Sequence, residues 1–257
     1  MRMHKLHQRY QLQATWTAPN RRRLYATFNL QHSTRILEVG SGTGVITREL
    51  SSSGSAHVYG VDIDRHAAAY AFTYDPDSNY GIADGHRLPF KESVCDVALC
   101  HYFLLWVANP NRILDEMIRV TRPGGMLAAI AEPDYGGRID HPSTLVALGT
   151  LQARALESHG ADPRMGRKLR ALFSQAGLQS VFAGVLAGEW RSSTDEEAFD
   201  SEWEMLREDL GSELSEQEYK DFRRLDHEAT EQGERILYVP TFYAVGIVAN
   251  DKKTSNA

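Results

Sequence analysis

The sequence predicts an α/β fold built on a mostly parallel, doubly wound sheet with helices on both faces. Apolar segments with strand character alternate with helical segments between residues 35 and 131, which is typical of parallel sheets. The segments 57–63, 95–101 and 126–131 are largely apolar, as strands buried on both faces are. The length of 257 residues suffices for one large domain of this kind with an insertion.

The elements of the first half follow from apolar spacing and turn residues. Residues 5–31 have helical spacing, and Pro19-Asn20 is expected to separate two helices. A strand at 35–39 enters a glycine-rich turn, and the following helix, 45–53, stops at Gly54. The remaining elements predicted here are strands at 57–63, 80–83, 95–101 and 126–131 and helices at 65–74 and 111–120.

After residue 132 the regular alternation ends. We predict a loop at 133–142, helices at 143–159 and 166–176, and strands at 179–190 and 236–248. Pro240 predicts that the last strand is bent or lies at an edge, because proline cannot donate to a strand ladder. Capping boxes at Thr194-x-x-Glu197 and Ser215-x-x-Glu218 open two amphipathic helices, which we interpret as a lid.

These elements suggest five segments. They are an N-terminal helical cap at 1–34, a ligand-binding core at 35–135, helices and a strand completing the sheet domain at 136–193, an acidic helical lid insertion at 194–235, and a last strand and tail at 236–257.

Composition excludes several functional classes. A net charge of -6 argues against a nucleic acid partner, because phosphate binding needs a cationic face. No run of eighteen apolar residues occurs, so no membrane span is expected, and residues 1–10 lack the apolar region of a secretory signal. The two cysteines, Cys95 and Cys100, lie too close along one strand to bridge. We therefore expect reduced thiols in a cytoplasmic protein.

The charges are unevenly distributed along the chain. The first 37 residues carry seven Lys or Arg and no carboxylate, whereas residues 195–234 carry 16 of the 34 Asp and Glu. Both regions can simply be solvated helical faces. Alternatively, they meet near one site, within a protomer or across a homodimer.

The glycine-rich turn is the first chemical signal. Gly40, Gly42 and Gly44 join a strand to a helix, so the backbone can approach a ligand closely and offer helix N-terminal amides. The dinucleotide fingerprint needs a further glycine at the position of Val45, which disfavours a nicotinamide oxidoreductase. Glu38 precedes the turn and gives the pattern acid-x-Gly-x-Gly-x-Gly.

The chain resembles the class I S-adenosylmethionine-dependent methyltransferases, in particular the ubiquinone and menaquinone biosynthesis type that acts largely on small molecules. The likeness rests on five segments in order: LEVGSGTG at 37–44, GVDI at 60–63, ADGHRLPF at 83–90, DVALCH at 96–101 and RVTRPGG at 119–125. The resemblance implies a Rossmann-like seven-stranded sheet with one antiparallel strand. It also implies S-adenosylmethionine as cofactor and a small-molecule methyl acceptor.

Five positions of the later segments are expected to hold the nucleoside. Asp62 lies at the carboxyl end of the second strand, where an acidic group can accept both ribose hydroxyls. It could instead cap the next helix, a role that Asp64 fills equally well. The resemblance implies that Ile63 lies against the adenine and that Ala83, Asp84 and Gly85 bind its edge. Asp84-Gly85 could also be a plain turn.

Other positions are expected around the methionine arm. The backbone of Gly40, Ser41 and Gly42 is expected to contact this arm. In the family pattern Glu38 lies next to the cofactor's amino-acid end, and a Glu in an apolar strand is costly unless it is paired. The resemblance implies that Cys100 and His101 line the same arm, although His101 could be a core histidine. Trp16 could cover the cofactor or belong to the core.

Methyl transfer mainly requires that an acceptor be positioned and water excluded. Catalytic candidates follow strand ends, where ligands bind in open α/β sheets. We name His101, Asp134 and Tyr135, with His141 and His159 as weaker candidates. Any one of these five could instead be pocket wall or surface. No cluster has metal-ligand spacing, and no metal is expected.

Three functional hypotheses remain open. The first is a methyltransferase that acts on an O, N or C atom of a small molecule. The second is a catalytically silent cofactor-binding regulator, since a fold does not dictate activity. The third is a macromolecular methyltransferase, which the net charge disfavours.

Overall fold

The computed structural model describes residues 2–30, 35–52, 56–186, 196–211 and 213–250. The helices are α1 Arg2–Thr27, α2 Val45–Ser52, α3 Arg65–Tyr74, α4 Pro110–Val120, α5 Val146–Ser158, α6 Met165–Gln175, α7 Glu196–Leu210 and α8 Glu216–Glu231. The strands are β1 Arg35–Val39, β2 His57–Asp62, β3 Asn79–Ile82, β4 Cys95–Cys100, β5 Thr121–Pro133, β6 Ile139–His141, β7 Gln179–Leu186, β8 Ile236–Tyr238 and β9 Thr241–Ile247.

Seven strands form the main sheet in the order β3-β2-β1-β4-β5-β9-β7. The pairs from β3 to β5 are parallel, and β9 is antiparallel to both β5 and β7. This confirms the predicted mostly parallel sheet with one antiparallel strand. The strand order reverses between β1 and β4, and ligands of such sheets bind at this switch point, outside the carboxyl ends of the strands.

Each face of the sheet is covered by helices. On one face, Ile113 and Met117 of α4 and Phe173 of α6 are fully buried against the sheet. On the other, Tyr25 of α1 and Leu50 of α2 are buried with residues of β1, β4 and β5. Each such side chain contributes about 1.5–3 kcal/mol through burial, so both layers hold the strand ends in place.

The N-terminal helix corrects the prediction of a break at Pro19-Asn20. α1 is continuous from Arg2 to Thr27 and contains Pro19. Pro19 is exposed, so its ring lies on the solvent side of the helix. Ala14 and Tyr25, on either side, are buried in the same core cluster. Their packing holds one helix despite the proline.

The predicted strand 236–248 divides at Pro240. β8 pairs with β6 in a separate two-stranded sheet, so the predicted loop 133–142 contains a strand. β9 lies inside the main sheet and not at its edge. Pro240 lies between the two strands because it lacks the N–H that a ladder requires. Its carbonyl accepts a hydrogen bond from Asp134 N at 2.8 Å.

The two late helices pack against α5. Trp203 and Leu210 of α7 are buried with Leu148 of α5 in a small apolar cluster of their own. The Ser215 capping box that opens α8 is confirmed: Ser215 and Glu218 bond each other's backbone N–H groups. The predicted capping box at Thr194 and the end of the predicted strand 179–190 lie outside the described residues.

Within the described ranges, no helix is long and apolar enough to cross a membrane. Cys95 and Cys100 are both free and buried, as expected.

Candidate functional site

The glycine-rich turn lies at the switch point. Gly40, Gly42 and Gly44 have φ of 78°, 52° and 83°, in the left-handed region that favours glycine. The amides of Gly40 and Ser41 donate to the Val61 carbonyl at 2.8 and 3.0 Å, which turns the chain away from β1. A Cβ on Gly42 would lie 2.8 Å from the Tyr10 ring. The turn therefore requires glycine for both backbone conformation and space.

Asp62 connects this turn to the end of β2. Its Oδ2 accepts from Gly42 N at 2.7 Å, and its Oδ1 accepts from Asp64 N at 2.8 Å. The N-cap of α3 is Asp64, whose carboxylate accepts from the amides of His66 and Ala67. The helix-cap role is thus filled by Asp64, and Asp62 faces the glycine-rich turn.

The ends of β2 and β3 bring the other nucleoside candidates to the same edge. Ala83 N donates to Asp62 O at 2.9 Å, which places the segment 83–85 beside Asp62. Ile63 is 70% exposed, an unusual position for a large apolar side chain. Gly85 is buried. Hydrogen bonds from the backbone and ring of His86 lower the pKa of Asp84, so its carboxylate is charged at neutral pH.

Glu38 lies beneath the turn and is 2% exposed. Thr47 donates its hydroxyl to Glu38 Oε2. Burial raises the pKa of Glu38 to about 8, and the nearby Asp62 carboxylate adds to this shift. Glu38 is therefore mostly protonated at pH 7, and a cation bound beside it would favour its ionised form.

Helix α1 crosses the turn through Tyr10 and His7. The Tyr10 ring lies on Gly42, and burial together with Asp62 raises its pKa. His7 is buried, with Nδ1 2.9 Å from Thr43 Oγ1. Trp16 was the aromatic residue of this helix expected at the cofactor, but the aromatic ring on the turn is that of Tyr10. Tyr10 lies in the same predicted helical segment, 5–31.

Trp16 faces α7. It is 50% exposed, and its side chain interacts with the Glu202 carboxylate. Arg9 forms an ion pair with Asp209, also on α7. Arg9 contacts Asp209 and Trp16 contacts Glu202, so the two helices run antiparallel. The basic N-terminal segment and an acidic late helix thus meet within one protomer.

A chain of polar contacts reaches His101. Arg21, 1% exposed, forms a two-bond ion pair with Glu49 and donates to Thr17 Oγ1 at 2.5 Å. Thr17 Oγ1 lies 3.1 Å from His101 Nε2. Burial and the Arg21 charge lower the pKa of His101 well below its usual range. His101 is therefore neutral at pH 7.

Cys100 is fully buried in β4, and burial raises the pKa of its thiol. Asp134 accepts from Gly136 N at 3.0 Å, and both its oxygens accept from Arg167, at 2.5 and 2.8 Å. Tyr135 is partly buried, and burial together with Asp209 raises its pKa to about 12.

The two weaker candidates lie apart from this group. His141 is an exposed residue of β6, and His159 binds the Ala155 carbonyl of its own helix at 2.7 Å. Glu132 and Phe103 were missed by the sequence analysis. The sequence could have indicated Glu132 as a candidate, because it is a Glu at an apolar strand, as Glu38 is. Among the described residues, no group of three or more His, Cys, Asp or Glu could hold a metal ion.

Part of the chain is similar to known methyltransferases. Residues 37–129, which include the glycine-rich turn and strands β2 to β4, match the family model described as "Methyltransferase domain". The chain is 38% identical over 162 residues to an uncharacterized methyltransferase of Mycolicibacterium vanbaalenii, a match that spans 60% of this chain and 63% of that protein. It is 37% identical over 117 residues to a demethylmenaquinone methyltransferase of Corynebacterium urealyticum, over 46% of this chain and 47% of that one.

The fold has solved counterparts. A phosphoethanolamine N-methyltransferase of Haemonchus contortus, crystallised with S-adenosyl-L-methionine, superposes with a TM-score of 0.55 at 13% identity. The match covers 84% of this chain and 49% of that one. Residues 37–129 are thus similar to a methyltransferase domain, and the fold is shared with a solved methyltransferase. The chain spans less than two thirds of the length of the two relatives it matches.

Proposed function

We propose that this protein transfers the methyl group of S-adenosylmethionine to an O, N or C atom of a small molecule. The observation that carries the proposal is the Asp62 carboxylate, which accepts from Gly42 N at 2.7 Å and so joins the glycine-rich turn to the end of β2. A carboxylate has about four lone-pair sites, so Asp62 can still accept the two ribose hydroxyls.

The remaining cofactor contacts follow from this anchor. The exposed Ile63 side chain would cover one face of the adenine. The Asp84 carboxylate would accept the adenine amino group, with Ala83 and the Gly85 amide along the ring edge. The cofactor supplies a methyl carbon activated by positive sulfur.

The methionine arm would lie over the turn. The backbone of Gly40, Ser41 and Gly42 would contact the methionine arm. The backbone of Cys100 and His101 would line the same arm. The buried Glu38 would balance the positive charge of the arm.

None of the three catalytic candidates is set to remove a proton at neutral pH. His101 is neutral, but its Nε2 faces Thr17. Both oxygens of Asp134 are bound by Arg167. The pKa of Tyr135 is raised to about 12. We therefore propose that these residues orient the acceptor and exclude bulk water. An electron pair of the acceptor forms the bond to the methyl carbon as the C–S bond breaks and S-adenosylhomocysteine leaves, and any proton on the acceptor atom is lost to solvent.

The small-molecule assignment is supported by the elements around the site. α1 crosses the glycine-rich turn and is tied to α7 by the Arg9–Asp209 ion pair. Because α1 covers one side of the turn, this arrangement favours a small acceptor over a folded macromolecule. The net charge of -6 also disfavours nucleic acid. The free thiols Cys95 and Cys100 support a cytoplasmic location.

Calorimetry with a matched pair of variants tests the cofactor assignment. Asp62→Ala should weaken S-adenosylmethionine binding at least tenfold, by more than about 1.4 kcal/mol. Asp64→Ala, which removes only the α3 cap, should leave the affinity within about twofold. Equal effects of both variants, or tight NADH binding without S-adenosylmethionine binding, would refute the assignment.

Turnover then separates an enzyme from a silent binder. Release of S-adenosylhomocysteine is measured with phenols, amines, carboxylic acids and quinol precursors as acceptors. Cofactor binding without turnover on any class would favour the regulatory alternative.

A further inference from the structure

A buried carboxylate with no cationic partner among the described residues lies between β5 and the segment after β4. Glu132, near the end of β5, is 0% exposed. Its Oε1 accepts from Phe103 N at 2.9 Å and from Leu104 N at 2.8 Å, and its Oε2 accepts from Leu105 N at 3.2 Å. One side chain thus binds three consecutive amides of a different segment.

These amides hold the segment 102–106 in an unusual shape. Tyr102 has φ of 48°, which a bulky residue adopts only when its surroundings require it. Leu104–Trp106 form a single 3-10 turn. An ionised carboxylate forms stronger hydrogen bonds than a neutral carboxyl, so its charge stabilises this conformation.

The segment directs the Phe103 ring to both ends of the proposed cofactor site. A Cβ on Gly40 would lie 2.2 Å from Phe103 Cδ2, and one on Gly85 would lie 3.3 Å from Phe103 Cζ. The ring therefore packs against the glycine-rich turn on one side and the proposed adenine edge on the other. The position of Phe103 is set by its own amide and the next two, all bound to Glu132.

We propose that Glu132 is a positioning residue for the cofactor: its ionised carboxylate holds the segment 102–106 so that Phe103 supports the glycine-rich turn and Gly85. The proposal rests on the proposed function, because it assigns Glu132 a role at that same site.

The charge state of Glu132 changes near neutral pH. Burial raises its pKa to about 7, although the three backbone N–H groups oppose this shift. The titratable groups facing it are Cys100 on β4 and Tyr102. Asp134, further along the chain, is paired with Arg167 of α6. Lowering the pH through 7 should therefore protonate Glu132 and loosen the segment.

The first test needs no cofactor and no variant. Amide NMR signals of Phe103, Leu104 and Leu105 are followed in the apo protein between pH 5.5 and 8.5. We expect them to shift together with one midpoint near pH 7. Three signals that stay constant across this range would overturn the proposal, whether or not the protein binds S-adenosylmethionine.

The second test compares S-adenosylmethionine affinity of Glu132→Gln with wild type across pH. Glutamine resembles the protonated side chain, so the ratio of dissociation constants should be close to one near pH 6. It should rise to about tenfold at pH 8.5, as expected when a hydrogen-bonded charge is lost. Because a ratio is measured, titration of other groups common to both proteins cancels.

A control variant separates positioning from stability. Glu116→Gln replaces another buried glutamate, which accepts from Leu88 N at 2.8 Å and pairs with Arg119, and whose pKa is lowered. The ratio of the S-adenosylmethionine dissociation constants of Glu116→Gln and wild type should not vary with pH. A purely structural role of Glu132 would likewise give a ratio independent of pH, and that result would overturn the proposal. Failure of wild type to bind S-adenosylmethionine at any pH would instead refute the proposed function.

Discussion

Binding of S-adenosylmethionine should release a proton from Glu38. The side chain is 2% exposed, and burial raises its pKa from 4.5 to about 8. Ionising it in the apo protein thus costs about 5 kcal/mol more than in water, at about 1.4 kcal/mol per pKa unit. At pH 7 about 90% of the molecules carry the proton. A cation placed beside the carboxylate reverses part of this cost.

The number of protons released per bound cofactor depends on how far binding lowers the pKa of Glu38. If the bound cofactor contributes about 3 kcal/mol, the pKa of Glu38 falls by about two units and about 0.8 proton leaves at pH 7. Calorimetry measures the number of protons released. The observed binding enthalpy is plotted against the ionisation enthalpy of several buffers, and the slope gives this number. The Glu38→Gln variant should release about 0.8 proton less than wild type.

Two results would refute this reasoning. One is equal proton release by wild type and Glu38→Gln at pH 7. The other is undiminished release at pH 9.5, where Glu38 is already ionised before the cofactor binds. The control is Glu116→Gln, which should release as many protons as wild type because the pKa of Glu116 is already low.

The remaining predictions concern stability. Because burial raises the pKa of Glu38 to about 8, its contribution to stability is present below pH 4.5 and is lost as the pH rises through 8. Between pH 5 and 9, the free energy of unfolding of Glu38→Gln in urea should therefore rise relative to that of wild type by about 2–5 kcal/mol. A difference that does not change with pH would contradict this. Gly42→Ala should lower the melting temperature more than Gly160→Ala: φ is positive at both positions, but an added Cβ would meet the Tyr10 ring at Gly42 and no other described residue within 4 Å at Gly160. Only Gly42→Ala should weaken cofactor binding. Arg21→Met should cost about 2–3 kcal/mol in urea unfolding, because it breaks an ion pair in which Arg21 is buried and Glu49 partly buried; a loss below about 1 kcal/mol would mean that the pair is effectively solvated. Ser215→Ala should cost about 1 kcal/mol through loss of the cap, seen as a lower melting temperature.

Local patterns in the sequence determined the core of the fold. Apolar strands, glycine-rich and Pro-Gly turns and helical spacing depend on neighbours within a few residues, and the mostly parallel sheet predicted from them was confirmed. The same holds for the glycine-rich turn, because φ near 80° at Gly40 and Gly44 restricts the residue type at these positions. Pro19 shows the limit of local signals: its exposed position and the packing on both sides decided that α1 continues.

Only the tertiary structure decided which polar groups of the site are available for chemistry. Arg167 binds the Asp134 carboxylate from 33 residues away, and Thr17 meets His101 across 84 residues. The amides bound by Glu132 lie 27 to 29 residues earlier. A side chain's pKa and free lone pairs depend on burial and on such distant partners. The sequence by itself therefore identified the turn and its glycines, while charge states and hydrogen-bond partners came from the packed structure.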